Sequence, residues 1–241
     1  MIYCPKEVFD MKHYDIDIPH GGEIIKATYY EAPNNKCIIA CHGYGGSRGS
    51  AAIRHLAEAM YPHGYSTLCF DWPCHGESTS PRECFSIMAC LEYLDTVIAY
   101  LKAQGKDEIY CFATSFGGFV ALRYAVLHKD AFIKIVLRCP ALKLAWLFGR
   151  PDVLGEGGPV ITKELIAEAQ DNETEILDDD LASKLLIIHG TADKLVPYVD
   201  SSDFAELNGV LLYAVQNADH RFKNPDCLML AIKYAETHFL Y

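Results

Sequence analysis

The stretch that decides the fold runs from Glu108 to His128, "EIYCFATSFGGFVALRYAVLH". An apolar, strand-like run from Ile109 to Ala113 reaches a single serine, Ser115. Phe116 and two glycines, Gly117 and Gly118, follow at once, and then a segment that reads as helix. A chain that passes from strand to helix without a loop must turn sharply, which puts the corner residue in a strained backbone conformation. Residues two positions to either side approach each other and must be small; here they are Ala113 and Gly117. Such a corner projects the Ser115 hydroxyl above the sheet. It also aims the first N–H groups of the helix at one point, where the helix dipole favours negative charge.

The same alternation extends in both directions. "KCIIACH" (36–42), "STLCFD" (66–71), "EIYCFAT" (108–114), "FIKIVLRC" (132–139), "KLLIIHG" (184–190) and "GVLLYAV" (209–215) are short and nearly continuous in apolar residues. Such runs suit strands buried on both faces of a parallel sheet. Helix-period segments at 50–61, 84–104, 116–128, 197–207 and 225–239 lie between them. Pro81, Pro197 and Pro225 stand at or near helix starts, where a missing N–H costs little. Upstream, "KHYDIDIP" and "EIIKATYYEA", joined by Gly21-Gly22, read as a hairpin. The expectation is an α/β fold with a mostly parallel, doubly wound sheet of about eight strands and helices on both faces.

One segment breaks the pattern. Between Cys139 and Lys184 lie roughly forty residues, too many for a structureless loop inside a compact domain. They begin apolar and aromatic (Leu142 to Phe148), pass through a Gly/Pro-rich middle and end in an acidic, helix-like stretch. The expectation is a small cap, residues 141–182, inserted into a core made of 1–140 and 183–241.

The chain of 241 residues carries 21 Lys and Arg against 32 Asp and Glu, a formal charge of −11. That balance argues against a nucleic-acid partner and weakly against an anionic membrane surface. No apolar run reaches the roughly 18 residues of a membrane span. "MIYCPKEVFDMKHYD" has no long hydrophobic core and does not read as a secretory signal, so a cytoplasmic location is expected. The ten cysteines include no C-x-x-C pair, and Cys37/Cys41 and Cys69/Cys74 lack zinc-site partners at suitable spacing. Reduced thiols packed as small hydrophobes are expected, with no metal and no cofactor.

Ala113 to Gly117 resembles the G-x-S-x-G nucleophile elbow of the α/β-hydrolase family, with Ala113 in place of the first glycine. The resemblance implies that Ser115 is a nucleophile, followed along the chain by an acid and then a histidine. Later histidines are His128, His189, His220 and His238. His128 falls in the helix after the elbow, His189 in a buried strand and His238 in the terminal helix. His220, in "QNADHRF", follows the last strand, where a loop can reach over the sheet edge, and is the expected general base. Asp193, in "LLIIHGTADKLVP", resembles the family's acid after a strand; Asp219 and Asp178 to Asp180 are the competing carboxylates. The oxyanion donors implied are the backbone N–H groups of Phe116 and of Tyr44 in "CHGYGGSR". The glycines of that loop allow close backbone approach and lack the spacing of a phosphate-binding loop. "FDWPCHGES" (70–78) resembles the family's D-x-x-G-H-G-x-S segment, with Asp71, His75 and Ser78 supporting loops. Within the superfamily, the small size and "HGTADKLVP" resemble bacterial cinnamoyl/feruloyl esterases, and monoacylglycerol-lipase-like proteins come next.

These readings imply hydrolysis of a small-molecule carboxylic ester through an acyl-enzyme. Gly43, Trp146, Leu147 and Phe148 are expected to line the substrate site. Neutral esters of short, medium or aromatic acids are expected to fit best, the net charge disfavouring anionic ones mildly. A thioesterase, a lipase of monoacylglycerols or a small peptidase would use the same groups. A binding protein that has lost catalysis is the alternative outside enzymes, and a homodimer is compatible with the sequence.

Overall fold

The computed structural model describes residues 11–81, 85–150 and 158–241. The strands are β1 (His13–His20), β2 (Glu23–Tyr30), β3 (Lys36–Cys41), β4 (Ser66–Phe70), β5 (Glu108–Thr114), β6 (Ile135–Arg138), β7 (Leu185–Gly190) and β8 (Leu211–Val215). They form one 8-stranded sheet in the order β1-β2-β4-β3-β5-β6-β7-β8. β1 and β2 are the hairpin, and β2 meets β4 antiparallel; every pair from β4 onward in that order is parallel. Gly21 and Gly22 turn the hairpin at φ 52° and 92°, the left-handed pair a two-residue type I′ turn needs.

The helices are α1 (Ala51–Met60), α2 (Ile87–Ala103), α3 (Phe116–Leu127), α4 (Leu144–Phe148), α5 (Lys163–Asp171), α6 (Asp179–Lys184), α7 (Tyr198–Asn208) and α8 (Pro225–Leu240). Alternate strand residues serve opposite faces. Ile39, Cys111, Leu137 and Ile187 share a core with α2, α3 and α7. Ile38, Phe112, Val136 and Ile188 share another with α1 and α8. Because both faces are covered, the period of two vanishes from the sequence and each strand reads as a continuous apolar run.

Three boundaries differ from expectation for local reasons. The run 132–139 supplies only four ladder residues, since Cys139 turns away at φ 45°. Gly209, at φ 65°, ends α7, so β8 starts at Leu211. Lys184 closes α6 instead of opening β7. The start of the helix expected from residue 84 falls outside the described residues; α2 begins at Ile87, where the Ser86 hydroxyl accepts the Ala89 N–H at 3.0 Å. β8 lies at the sheet edge and is not buried on both faces, with Leu211 48% exposed.

The long segment between β6 and β7 contains α4, α5 and α6; its Gly/Pro-rich residues 151–157 lie outside the described residues. Leu147, Phe148, Leu165 and Ala169 join the core shared with α2 and α3. Polar contacts add to this: Glu168 accepts the Met88 N–H at 2.9 Å, and Arg123 Nε donates to Asn172 Oδ1 at 3.1 Å. Cys37, Cys41, Cys69, Cys90, Cys111 and Cys139 are buried free thiols packed in the core, while Cys4 and Cys84 lie outside the described residues. Among the described residues no helix is long and apolar enough to cross a membrane.

Candidate active site

Ser115 joins β5 to α3 with φ 53° and ψ −117°, a left-handed conformation for a residue with a side chain. Holding such a residue costs about 1–3 kcal/mol. The surroundings compensate through three backbone bonds: Ser115 N–H donates to Arg138 O at 3.0 Å, and Ser115 O accepts from Phe119 N–H at 3.2 Å and Ala141 N–H at 3.1 Å. Gly117 is required by close approach. A Cβ there would lie 2.5 Å from His42 O and 2.9 Å from Cys41 O, so the first turn of α3 sits directly on the end of β3.

Two loops at the same sheet edge bring the partners of Ser115. Thr191 N–H donates to Val215 O, and Ala192 N–H to Ala218 O, each at 3.0 Å, which ties the turn after β7 to the loop after β8. A Cβ on Gly190 would sit 2.3 Å from Ala218 O, so this contact also depends on glycine. The result is a continuous hydrogen-bonded chain. His220 Nδ1–H donates to Asp193 Oδ2 at 2.7 Å, which leaves Nε2 to accept the Ser115 hydroxyl at 3.1 Å. Asp193 Oδ1 accepts the N–H groups of Leu195 and Val196, both at 2.9 Å. Its carboxylate has no exposed surface, while the His220 side chain is 14% exposed.

Two buried groups complete the cluster. His189 Nε2 lies 3.3 Å from Asp193 Oδ2 and donates to Val196 O at 3.1 Å, and its Nδ1 pairs with the Ser201 hydroxyl at 2.7 Å. Cys139, His189 and Asp193 place one donor atom each within 4.8 Å of one another; the ring nitrogens of His189 and the oxygens of Asp193 already have partners in the protein. Burial opposes charge on Asp193, yet hydrogen bonds from His189, His220 and backbone N–H groups outweigh it and hold the carboxyl below the usual carboxylate range. Burial likewise opposes charge on His220, but its bonds to Asp193 and Cys139 raise it above 6.5. The Cys139 thiol, pushed up by burial, is brought down to about 7 by hydrogen bonding to His189 and His220.

The loop after β3 approaches Ser115 from the other side: a Cβ on Gly43 would be 3.2 Å from Ser115 Cβ. His42 fixes this loop as a neutral ring, with Nδ1–H donating to Gly43 O at 2.8 Å and Nε2 accepting the Trp72 N–H at 3.2 Å. Burial and the neighbouring His75 lower its pKa to about 4. The Tyr44 hydroxyl donates to Pro159 O, and its ring packs edge-on to Phe116 and Phe148. Phe116 is the first residue of α3, where an N–H has no intrahelical acceptor. Asp71, fully buried, accepts the N–H groups of Arg48 at 2.7 Å and Glu77 at 3.0 Å, and the Arg48 guanidinium as well. His75 and Ser78 bond within the same loop. Cys74, where the related motif carries glycine, has φ 62°.

A cavity of about 650 Å³ opens beside Ser115, lined by Gly43, Tyr44, His220, Leu195, Phe222 and Arg138 among others. The structure does not bring Trp146, Leu147 or Phe148 into its wall. Leu147 and Phe148 point from the short α4 into the core, and Trp146 is 46% exposed beneath the Arg150 guanidinium. Trp146 and Leu147 line a separate, smaller cavity that shares only Leu195 with the first. His189, Cys139 and Arg138 were missed as site residues. All three sit in or beside apolar strand runs, and their one sequence signal is a polar residue at the C-terminal end of such a run.

In chemical terms, the arrangement can pass the Ser115 proton to His220 while Asp193 stabilises the imidazolium, with N–H groups nearby for an oxyanion. Several solved structures share the fold. Est1E from Butyrivibrio proteoclasticus with ferulic acid bound superposes with a TM-score of 0.79 at 21% identity, covering 93% of this chain and 98% of that one. Alpha/beta hydrolase domain-containing protein 10 from mouse gives 0.79 at 16% identity over 94% and 98%. A monoacylglycerol lipase from Paleococcus ferrophilus gives 0.66 at 20% identity over 89% and 99%. No curated protein matches the sequence. The family model for the alpha/beta hydrolase fold matches residues 36–161, more than half of the chain, and the chain belongs to that family.

Proposed function

We propose that the protein is a serine hydrolase of carboxylic esters. Ser115 Oγ attacks the ester carbonyl carbon as His220 Nε2 takes its proton. The N–H groups of Phe116 and Tyr44 hold the oxyanion. The tetrahedral intermediate then collapses: the C–O bond to the alcohol breaks, and His220 returns the proton to the departing alkoxide. Water, deprotonated by the same nitrogen, attacks the acyl-enzyme and releases the acid and free Ser115. The observation that carries this reading is the unbroken chain from Ser115 Oγ through His220 to Asp193, at 3.1 and 2.7 Å, on a strained elbow. Esters of short, medium or aromatic acids fit a cavity of this size, and the fold shared with Est1E, which is seen with ferulic acid bound, supports the aromatic class. A fluorophosphonate probe should label Ser115, and Ser115→Ala should lose the label and about 10⁶ in turnover. Wild-type ester hydrolysis by that variant would refute the proposal.

A further inference from the structure

The cavity beside Ser115 carries a charge opposite to that of the chain. Against 21 Lys and Arg the sequence has 32 Asp and Glu, yet the wall includes Arg138, Arg221 and Lys223 and, among the described residues, no acid at all. Arg138 is the informative one. It ends β6 beside the elbow, and its carbonyl accepts the Ser115 N–H. The residue is 5% exposed, so its guanidinium is withdrawn from water. Nε reaches Thr114 Oγ1 at 3.4 Å, and the guanidinium carbon lies 5.0 Å over the Phe222 ring. Nη1 is buried without a hydrogen-bond partner. Buried charges are normally paired, because an unpartnered one forfeits its hydration. The acidic groups whose charge favours it are already engaged: Cys139 with His189 and His220, Asp193 with the same two rings, and Asp219 with the Lys223 N–H at 2.9 Å.

A second feature of the same cavity favours an anion. Ser50 to Ala52, at the start of α1, form part of the wall. This helix has no side-chain cap and no acidic residue in its first turn. Its leading N–H groups and the positive end of its dipole therefore lack the protein-borne acceptor that usually serves them. The side chains of Arg221 and Lys223 make no hydrogen bond or ion pair among the described residues and add positive charge at the rim. The net charge of −11 acts from distances that salt screens beyond about 8 Å, whereas these groups act across the cavity itself.

We propose that this cavity, with Arg138 and the α1 N-terminus both in its wall, binds an oxyanion, a carboxylate or a phosphate group, carried by the ester substrate. The preferred substrates are then anionic, which reverses the preference for neutral esters expected from an apolar lining by Trp146, Leu147 and Phe148. This inference rests on the reading of Ser115 as the nucleophile.

The test compares three aryl acetates that differ only in a para substituent insulated by one methylene: carboxamidomethyl, carboxymethyl and phosphonomethyl. At low salt, one or both anionic esters should exceed the neutral one in kcat/KM by about tenfold, the worth of a single charge-assisted hydrogen bond. Which of the two leads identifies the anion. The ratio should fall as sodium chloride is added, and it should collapse in Arg138→Gln. Arg221→Gln combined with Lys223→Gln, at exposed positions, should lower it even if the buried substitution fails to fold. A wild-type ratio of one, or a ratio that neither salt nor the exposed pair changes, overturns the inference while leaving ester hydrolysis intact. If no ester is cleaved and Ser115 takes no probe, the nucleophile reading has failed instead. Calorimetric titration of wild-type and Arg138→Gln protein with inorganic phosphate then decides the anion site alone: binding lost in the variant supports it, and absence of binding to the wild type ends it.

Discussion

Asp193→Asn isolates what the hydrogen-bond chain contributes, because the substitution keeps shape and changes one atom's chemistry. Asp193 Oδ1 accepts two backbone N–H groups at 2.9 Å, so an asparagine will place its carbonyl oxygen there to keep both bonds. Its amide NH₂ then occupies the position of Oδ2, facing His220 Nδ1 at 2.7 Å and His189 Nε2 at 3.3 Å. Two donors cannot face each other. His220 must move its proton to Nε2 so that Nδ1 can accept, and that nitrogen can no longer take the Ser115 proton. A wrongly held tautomer costs about 10⁴ in kcat in Ser–His–Asp hydrolases, and a factor of that size is about 5.4 kcal/mol of barrier. The fold should survive, since the two backbone bonds and the side-chain volume are retained. Steady-state hydrolysis of an activated ester, with circular dichroism to check folding and fluorophosphonate labelling to follow Ser115 reactivity, measures this directly. A folded Asp193→Asn protein within tenfold of wild type would show that the carboxylate does not set the tautomer, and the assignment of Asp193 would fall.

Three other outcomes follow from the structure. His220 is raised above 6.5, so it stays protonated, and unable to act as base, to a higher pH than a free imidazole; kcat/KM should therefore fall as pH drops through a midpoint above 6.5. Part of that rise comes from Cys139, whose thiol is lowered to about 7, so Cys139→Ser should move the midpoint down; a midpoint that stays put or climbs would contradict the contact. Gly117→Ala brings a methyl against two backbone carbonyls that have little room to yield, and a loss of about 1–3 kcal/mol in denaturant unfolding is expected. Unchanged stability would mean that α3 does not press on β3 as described.

Much of this protein follows from chain order alone. Runs such as "KCIIACH" and "EIYCFAT" are apolar throughout because both faces of a parallel strand are covered, and that necessity is local enough to read without coordinates. The corner at Ser115 is equally legible: a strand that meets a helix with Ala113 and Gly117 flanking the turn leaves few alternatives for the backbone, and the serine does sit at positive φ. Ends of elements were less legible, since Cys139 and Gly209 leave their runs at left-handed φ for reasons that lie in neighbouring strands and loops.

What tertiary structure alone decided is which distant groups share one space. Cys139 looks like a core residue in its own strand run and becomes a neighbour of His189 and Asp193 only because β6 and β7 lie side by side with their C-terminal ends in register, while His189 meets Asp193 because the turn after β7 folds back onto the strand end. Arg138 looks like one basic residue in an acidic chain, yet its burial without a carboxylate is a property of the folded cavity. The aromatic stretch 146–148 shows the converse: its hydrophobicity was plain, but whether it faced the core or the cavity depended on how α4 packs. Burial on two faces and backbone strain are imposed residue by residue and leave a trace in composition. Contact between loops is imposed by the whole sheet, and single residues carry no record of it.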